Sequence, residues 1–149
     1  MTRYEHTQIG HVIIWSLLAI ILIANGLTGT LIHWPAGVVS LVLVVCLVLF
    51  YKLKITIEDE ALRASFGPGI IRKKVRLAEV VGCDPIRIHW WYGWGIHLTP
   101  DGWLYNVSGF DAVAIRLRDG KKFALGTDDP CGLVDAIRRN ISNQHFAQN

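Results

Sequence analysis

The chain has 149 residues, 52% hydrophobic and 18% charged, with a formal net charge of +3. That length holds one ordinary domain and a short apolar segment but not two domains, and so mild a charge, with no long basic stripe among stacking aromatics, argues against nucleic-acid binding. Three cysteines, Cys46, Cys83 and Cys131, have neither framework spacing nor a Cys/His pattern, which argues against a disulfide scaffold, gives no sign of a zinc site and fits a reducing, cytoplasmic setting.

Met1 to Gly10 reads as a short cytoplasmic N-terminus. From His11 to Tyr51 there is no Asp, Glu, Lys or Arg. Val12 to Ile32, 21 residues, would reach roughly 31 Å as a helix, and Ala36 to Tyr51, 16 residues, about 24 Å, with Trp34 and Leu53 extending it. Pro35 suits the first turn of the second helix, and Asn25-Gly26 offers an early end to the first. A cleaved signal peptide is disfavoured, because Arg3 is offset by Glu5 and no small-residue cleavage site precedes a polar start. The expectation is therefore a transmembrane hairpin of two helices over residues 11–52. The connection near His33 lacks Lys and Arg, whereas Lys52, Lys54, Arg63, Arg72, Lys73, Lys74 and Arg76 follow the second helix. That asymmetry predicts a multi-pass protein of the cell (inner) membrane with both termini cytoplasmic. Trp15, Trp34 and Tyr51 are candidate interfacial anchors, and Asn25 and Ser40 candidates for helix pairing.

Beyond Lys52 the apolar period becomes two. Lys52 to Glu58 alternates, with Leu53, Ile55 and Ile57 on one face. Leu62 to Phe66 is a second strand, closed by Gly67-Pro68-Gly69. In Ile70 to Leu77, residues Ile71, Val75 and Leu77 share one face and Arg72, Lys74 and Arg76 the other. Val80 to Cys83 and Ile86 to Trp91 are short β segments around Asp84-Pro85. Ile96 to Leu98 and Trp103 to Val107 flank a turn at Thr99-Pro100-Asp101-Gly102. Val113 to Leu125 is a hairpin about Asp119-Gly120, a pair that tolerates the positive φ angles of a two-residue turn. A helix starts near Thr127-Asp128-Asp129-Pro130 and carries an apolar stripe of Leu133, Val134, Ile137 and Ile141. Residues 142–149 read as a polar, frayed tail.

The order of Gly69-Ile70-Ile71 through Leu77-Ala78-Glu79-Val80-Val81, then Trp94-Gly95-Ile96, Tyr105 to Gly109, Val113 to Leu117, Asp119-Gly120 and Gly126 to Pro130, resembles bacterial pleckstrin-homology-like domain membrane proteins, small uncharacterised ones in which two membrane helices precede the domain. The resemblance covers about Lys54 to Ile141. It implies an α+β architecture: the transmembrane hairpin, then over residues 53–141 an antiparallel, seven-stranded bent sheet or barrel capped by a C-terminal helix. It carries over no shared activity.

Catalytic motifs are missing from the chain. Val107-Ser108-Gly109 lacks the first glycine of a nucleophile elbow, and Gly93-x-Gly95 lacks the rest of a nucleotide loop. Asp59, Asp84, Asp101, Asp119, Asp128 and Asp129 fall in turns or caps, where that residue type has a structural reason. No catalytic or cofactor-binding residue is expected, and His89, His97 and Asp101 make only a weak metal set. Arg72, Lys73, Lys74 and Arg76 are the candidate lipid-headgroup contacts, since basic residues near an anionic leaflet each add about 1 kcal/mol. Trp90 and Trp91, read as neighbours on a strand, cannot both enter one core and are the candidate partner-facing aromatics. Trp94 and Trp103 are expected to fill the core. These residues point to a non-enzymatic, membrane-anchored interaction module with the lipid bilayer and a membrane protein or a second copy as partners, or else to a sensor of anionic headgroups.

Overall fold

A computed structural model describes residues 4–28, 34–100 and 102–147. Two sheets face each other across one core. The first has strand order β1(Tyr4–Ile9), β2(Lys52–Glu58), β3(Ala61–Phe66), β4(Ile71–Arg76), all antiparallel. The second combines β5(Val80–Arg87), β6(Gly95–Thr99), β7(Gly102–Asn106), β8(Asp111–Leu117) and β9(Lys122–Gly126) in the order β5-β8-β9-β7-β6.

Alternation decides which face each strand buries. Leu53, Ile55 and Ile57 of β2 are buried beside Leu62, Ala64 and Phe66 of β3, while Lys54, Thr56, Arg63 and Ser65 point outward. Val113, Ile115, Phe123 and Leu125 face them from the second sheet. Each such large aliphatic or aromatic side chain contributes about 1.5–3 kcal/mol on burial. Helix α3(Pro130–Ala147) closes one end, with Leu133, Val134 and Ile137 in the same core. Asp129 caps it: its Oδ1 accepts the Gly132 N–H at 3.0 Å.

Between β1 and β2 the chain forms α1(His11–Thr28) and α2(Trp34–Phe50), which pack on one another and are tied by Asn25 Nδ2 donating to Ser40 Oγ at 3.1 Å. The pair joins the sheets at its base. The Gly10 N–H donates to the Tyr51 carbonyl at 2.8 Å and the Gly67 N–H to the Lys52 carbonyl at 2.9 Å. The Phe50 ring meets Phe66 edge-on at 5.6 Å, and Phe66, Tyr105 and Phe123 continue that aromatic contact across the core.

Several expectations are corrected. Among the described residues no helix is long and apolar enough to cross a membrane. Helix α1 has 18 residues and α2 has 17, about 27 and 26 Å at ~1.5 Å per residue, against a hydrocarbon core of ~30 Å. Polar His11 and Asn25 bound a still shorter apolar stretch within α1. The 21-residue reading depended on residues 29–32, which lie outside the described residues. The transmembrane hairpin, and with it the multi-pass placement in the cell membrane with both termini cytoplasmic, is therefore withdrawn. The single seven-stranded antiparallel sheet is likewise replaced by sheets of four and five strands, and β7 runs parallel to β9 because the β8–β9 hairpin inserts between β5 and β7. The extra strand of the first sheet is β1, inside the segment read as a short cytoplasmic N-terminus. Asp84-Pro85 does not divide β5, which continues through it with a bulge at Val80/Gly82. Trp90–Tyr92 is a 3-10 turn, so strand alternation does not govern its tryptophans. Trp103 is 51% exposed rather than a core filler, and α3 runs on to Ala147 through much of the expected tail.

Candidate interaction surface

The helix pair presents apolar side chains to the outside on most of its circumference. Leu22 and Ile23 of α1 and Val38, Leu41, Val42, Val45 and Val48 of α2 are all at least half exposed or close to it. On α2 these positions, with Val39 and Val44, sweep most of the helix surface at ~100° per residue, leaving only the side toward α1. The whole chain exposes 9139 Å², whereas a compact protein of its mass exposes roughly 7,600 Å². The surplus is of the size that a stable association covers.

Three groups of residues stand out: two lie toward the end of the domain from which this pair rises, and the basic one begins there and runs along the outer face of the first sheet toward the opposite end. The first is apolar: Ile9, paired with Lys52 where β1 and β2 meet the helices, and Ile70, 71% exposed in the β3–β4 turn. The second is basic. On the outer face of the first sheet the register aligns Lys54, Ser65 and Arg72 in one row across β2, β3 and β4, and Thr56, Arg63 and Lys74 in the next. A shallow concavity of about 480 Å³ lies over these residues. Arg76 sits one row further out, opposite Ala61. Glu5 reaches the group from β1, pairing with Lys54 at 2.6 Å.

The third group is aromatic. The Gln8 side chain donates to the Ser108 carbonyl at 3.0 Å, Trp94 Nε1 donates to the Gly109 carbonyl at 3.3 Å, and the Ile88 N–H donates to the Phe110 carbonyl at 2.6 Å. This chain of contacts leads from β1, just before the helices, to the 3-10 turn. There Trp90 is 74% and Trp91 60% exposed, their rings in T-shaped contact at 6.0 Å, with His89 stacked on Trp91 at 4.3 Å.

The structure thus brings Arg72, Lys74 and Arg76 to one face, as the alternation requires, but separates Lys73 from them. Lys73 points inward at the sheet edge, its Nζ 5.5 Å from the centre of the Phe123 ring. Lys54, Thr56, Arg63 and Ser65 were not singled out from the sequence. Their alternation within β2 and β3 was readable; that they abut β4 depends on strand pairing. Trp90 and Trp91 are both outward, for the different reason that a 3-10 turn holds them.

The remaining polar clusters have structural explanations. Asp84 takes Arg116 at 2.7 Å and Arg138 at 3.8 Å, pinning α3 to β5. Burial pushes the Cys83 thiol above its ordinary pKa, away from nucleophilic behaviour. His97 Nε2 lies 2.6 Å from the Trp94 carbonyl, His89 stacks on Trp91, and Asp101 lies outside the described residues. Among the described residues no three His, Cys, Asp or Glu side chains are placed to hold a metal ion. No protein-family model, curated protein or solved structure matches the chain.

Proposed function

We propose that the protein is a non-enzymatic interaction module whose helix-pair end engages an anionic lipid surface. One observation carries this reading: the exposed apolar helices rise beside a basic sheet face whose nearest row holds Lys54 and Arg72, with the exposed aromatics of the 3-10 turn on the same molecule. Apolar contact on most of the circumference of α2 favours acyl chains over a flat protein face, which covers a helix from one side only. Indole rings settle at the boundary between apolar and polar layers. Basic side chains beside them pair with anionic headgroups, each adding about 1 kcal/mol. Nothing in this reading needs either helix to cross the lipid layer. The pleckstrin-homology-like resemblance belongs to the same proposal, with α3 closing one end of the packed sheets.

The test is flotation of the full chain with phosphatidylcholine vesicles, neutral or containing an anionic lipid. Binding is expected to both, stronger to the anionic vesicles and weakened by salt. Replacing Arg72 and Lys74 together by Gln removes about 2 kcal/mol, roughly 30-fold in affinity, from the anionic case alone. A chain that stays at the bottom of the gradient with both vesicle types overturns the proposal.

A further inference from the structure

We infer that the hollow on the outer face of the second sheet is a binding site for a small aromatic carboxylate, with Arg87 as its anion partner. The inference stands apart from the lipid-surface reading above. Strands β5 and β6 are opposite edges of the second sheet, so the segment that joins them, 88–94, has to pass the three strands between. It turns side chains back onto the sheet: Ile88 is buried against Leu104, Ala112 and Ala124, and Tyr92 packs on the same group. The register sets Ala114, Ala124 and Leu104 side by side across β8, β9 and β7, so two neighbouring strands offer only methyl groups in that row. Short side chains beneath a crossing segment leave a cavity of about 250 Å³. Leu104 and Ala124 form its floor, and Ile86, Ile88, Tyr92 and Pro100 its apolar walls.

The lining suits a ligand with two unlike halves. An apolar floor beside the flat rings of Tyr92, Pro100 and His89 fits a rigid aromatic body, which gives up little conformational freedom on binding. His89 is held in place by its stack on Trp91 at 4.3 Å. Thr99 also lines the cavity, but its Oγ1 already donates to the Gly102 carbonyl at 2.9 Å. A second hollow of about 300 Å³, lined by Trp90 and Phe110, shares Arg87, Ile88 and His89 with the first. Arg87, exposed at the end of β5, therefore borders both. It has no ion pair among the described residues: Asp111, opposite it in the β5–β8 register, does not reach it, and Asp84 is taken by Arg116 and Arg138. None of the described residues lining either hollow is acidic. An unpaired guanidinium at the border of an apolar cavity favours a carboxylate, which it can hold through two parallel hydrogen bonds.

The experiment titrates the full chain, in a mild non-ionic detergent, with 2-naphthoate and with its neutral counterpart 2-naphthamide, by calorimetry corrected against protein-free micelles. A Kd on the order of 100 µM is expected for naphthoate. The amide should bind about 10-fold more weakly, the loss of one charge-assisted contact. Arg87→Gln should bring the two probes within about 2-fold of each other. Arg118→Gln removes an exposed cation of the β8–β9 turn, outside the cavity, and should leave the 10-fold ratio intact. Ala124→Leu puts a larger side chain into the cavity and should abolish binding of both probes. Absence of saturable naphthoate binding to the natural chain overturns the inference, and so does equal affinity for the acid and the amide. A preference that survives Arg87→Gln overturns it too, and that exposed variant decides the matter if Ala124→Leu fails to fold. Binding retained by an Ala124→Leu chain with native near-UV circular dichroism places the probe elsewhere and removes the site.

Discussion

Gly67 is where the β3–β4 turn meets the last turn of α2, and its replacement measures how firmly the helix pair is mounted. Its φ is +50°, and a Cβ there would lie 2.4 Å from the Val48 carbonyl oxygen and 2.7 Å from that of Leu49. Both obstacles are backbone, so relief requires the end of α2 to retreat by on the order of 1 Å. Gly120 provides the comparison: its φ is +81°, and a Cβ there meets nothing within 4 Å. The left-handed backbone costs an alanine about 1–2 kcal/mol at either site. Only Gly67→Ala adds overpacking, about 1–3 kcal/mol, together with strain on the Gly67–Lys52 hydrogen bond. Gly67→Ala should therefore lose about 3 kcal/mol and Gly120→Ala about 1 kcal/mol. For a chain of this size these losses correspond to falls of about 6–12 °C and 2–4 °C in Tm. The assay is thermal unfolding of the full chain in a mild non-ionic detergent, followed by near-UV circular dichroism. Equal Tm shifts for the two variants would refute the seating of α2 on the β3–β4 turn.

Two further outcomes are expected. The Tyr4 pKa is pushed up from 10.0 to about 12, first by burial and then by the Asp129 carboxylate that its hydroxyl approaches at 3.5 Å. An acid with a raised folded pKa stabilises fully below its unfolded value, so this contribution is intact below pH 10 and is lost as the pH rises toward 12. Screening at this partly exposed site limits the effect to about 1 kcal/mol. The stability difference between the natural chain and Tyr4→Phe should therefore shrink between those pH values, and a constant difference contradicts the contact. Leu125 is fully buried in the centre of β9. Leu125→Ala should cost about 2–5 kcal/mol by denaturant midpoint, and a loss below about 1 kcal/mol contradicts its place in the core.

What the sequence revealed follows the physics of each segment. In β2 apolar and polar residues alternate because one face is buried and the other open, so position alone predicts orientation, whereas β9 buries Phe123 and Leu125 on one face and Ala124 on the other. The Asp119-Gly120 turn and the Asp129 cap were legible because each needs a particular residue type. Strand β1 was hidden: its inward side chains are Tyr4, His6 and Gln8, which spend their polar atoms on Asp129, Asp128 and the Ser108 carbonyl and so leave no apolar alternation. The parallel β7–β9 pairing was hidden for another reason, because it joins segments whose local patterns say nothing about partners. The same gap separates what was read of the candidate surface from what was not. Arg72, Lys74 and Arg76 share a strand and were found by alternation; Lys54, Thr56, Arg63 and Ser65 join them only across strands. The apolar run preceding Lys52 was read as two spans by counting residues. Helix α1, His11–Thr28, is three residues shorter than the run counted, and α2, Trp34–Phe50, has 17 residues, still about 26 Å.

Tryptophan quenching by brominated lipid tests the lipid-surface account most directly. The full chain is mixed with anionic vesicles whose acyl chains carry bromine near the headgroup, and its emission is compared with that of Trp90→Phe/Trp91→Phe. The account predicts strong quenching of the natural chain that falls substantially in the double variant. Emission from the natural chain that is unchanged by brominated vesicles would contradict it.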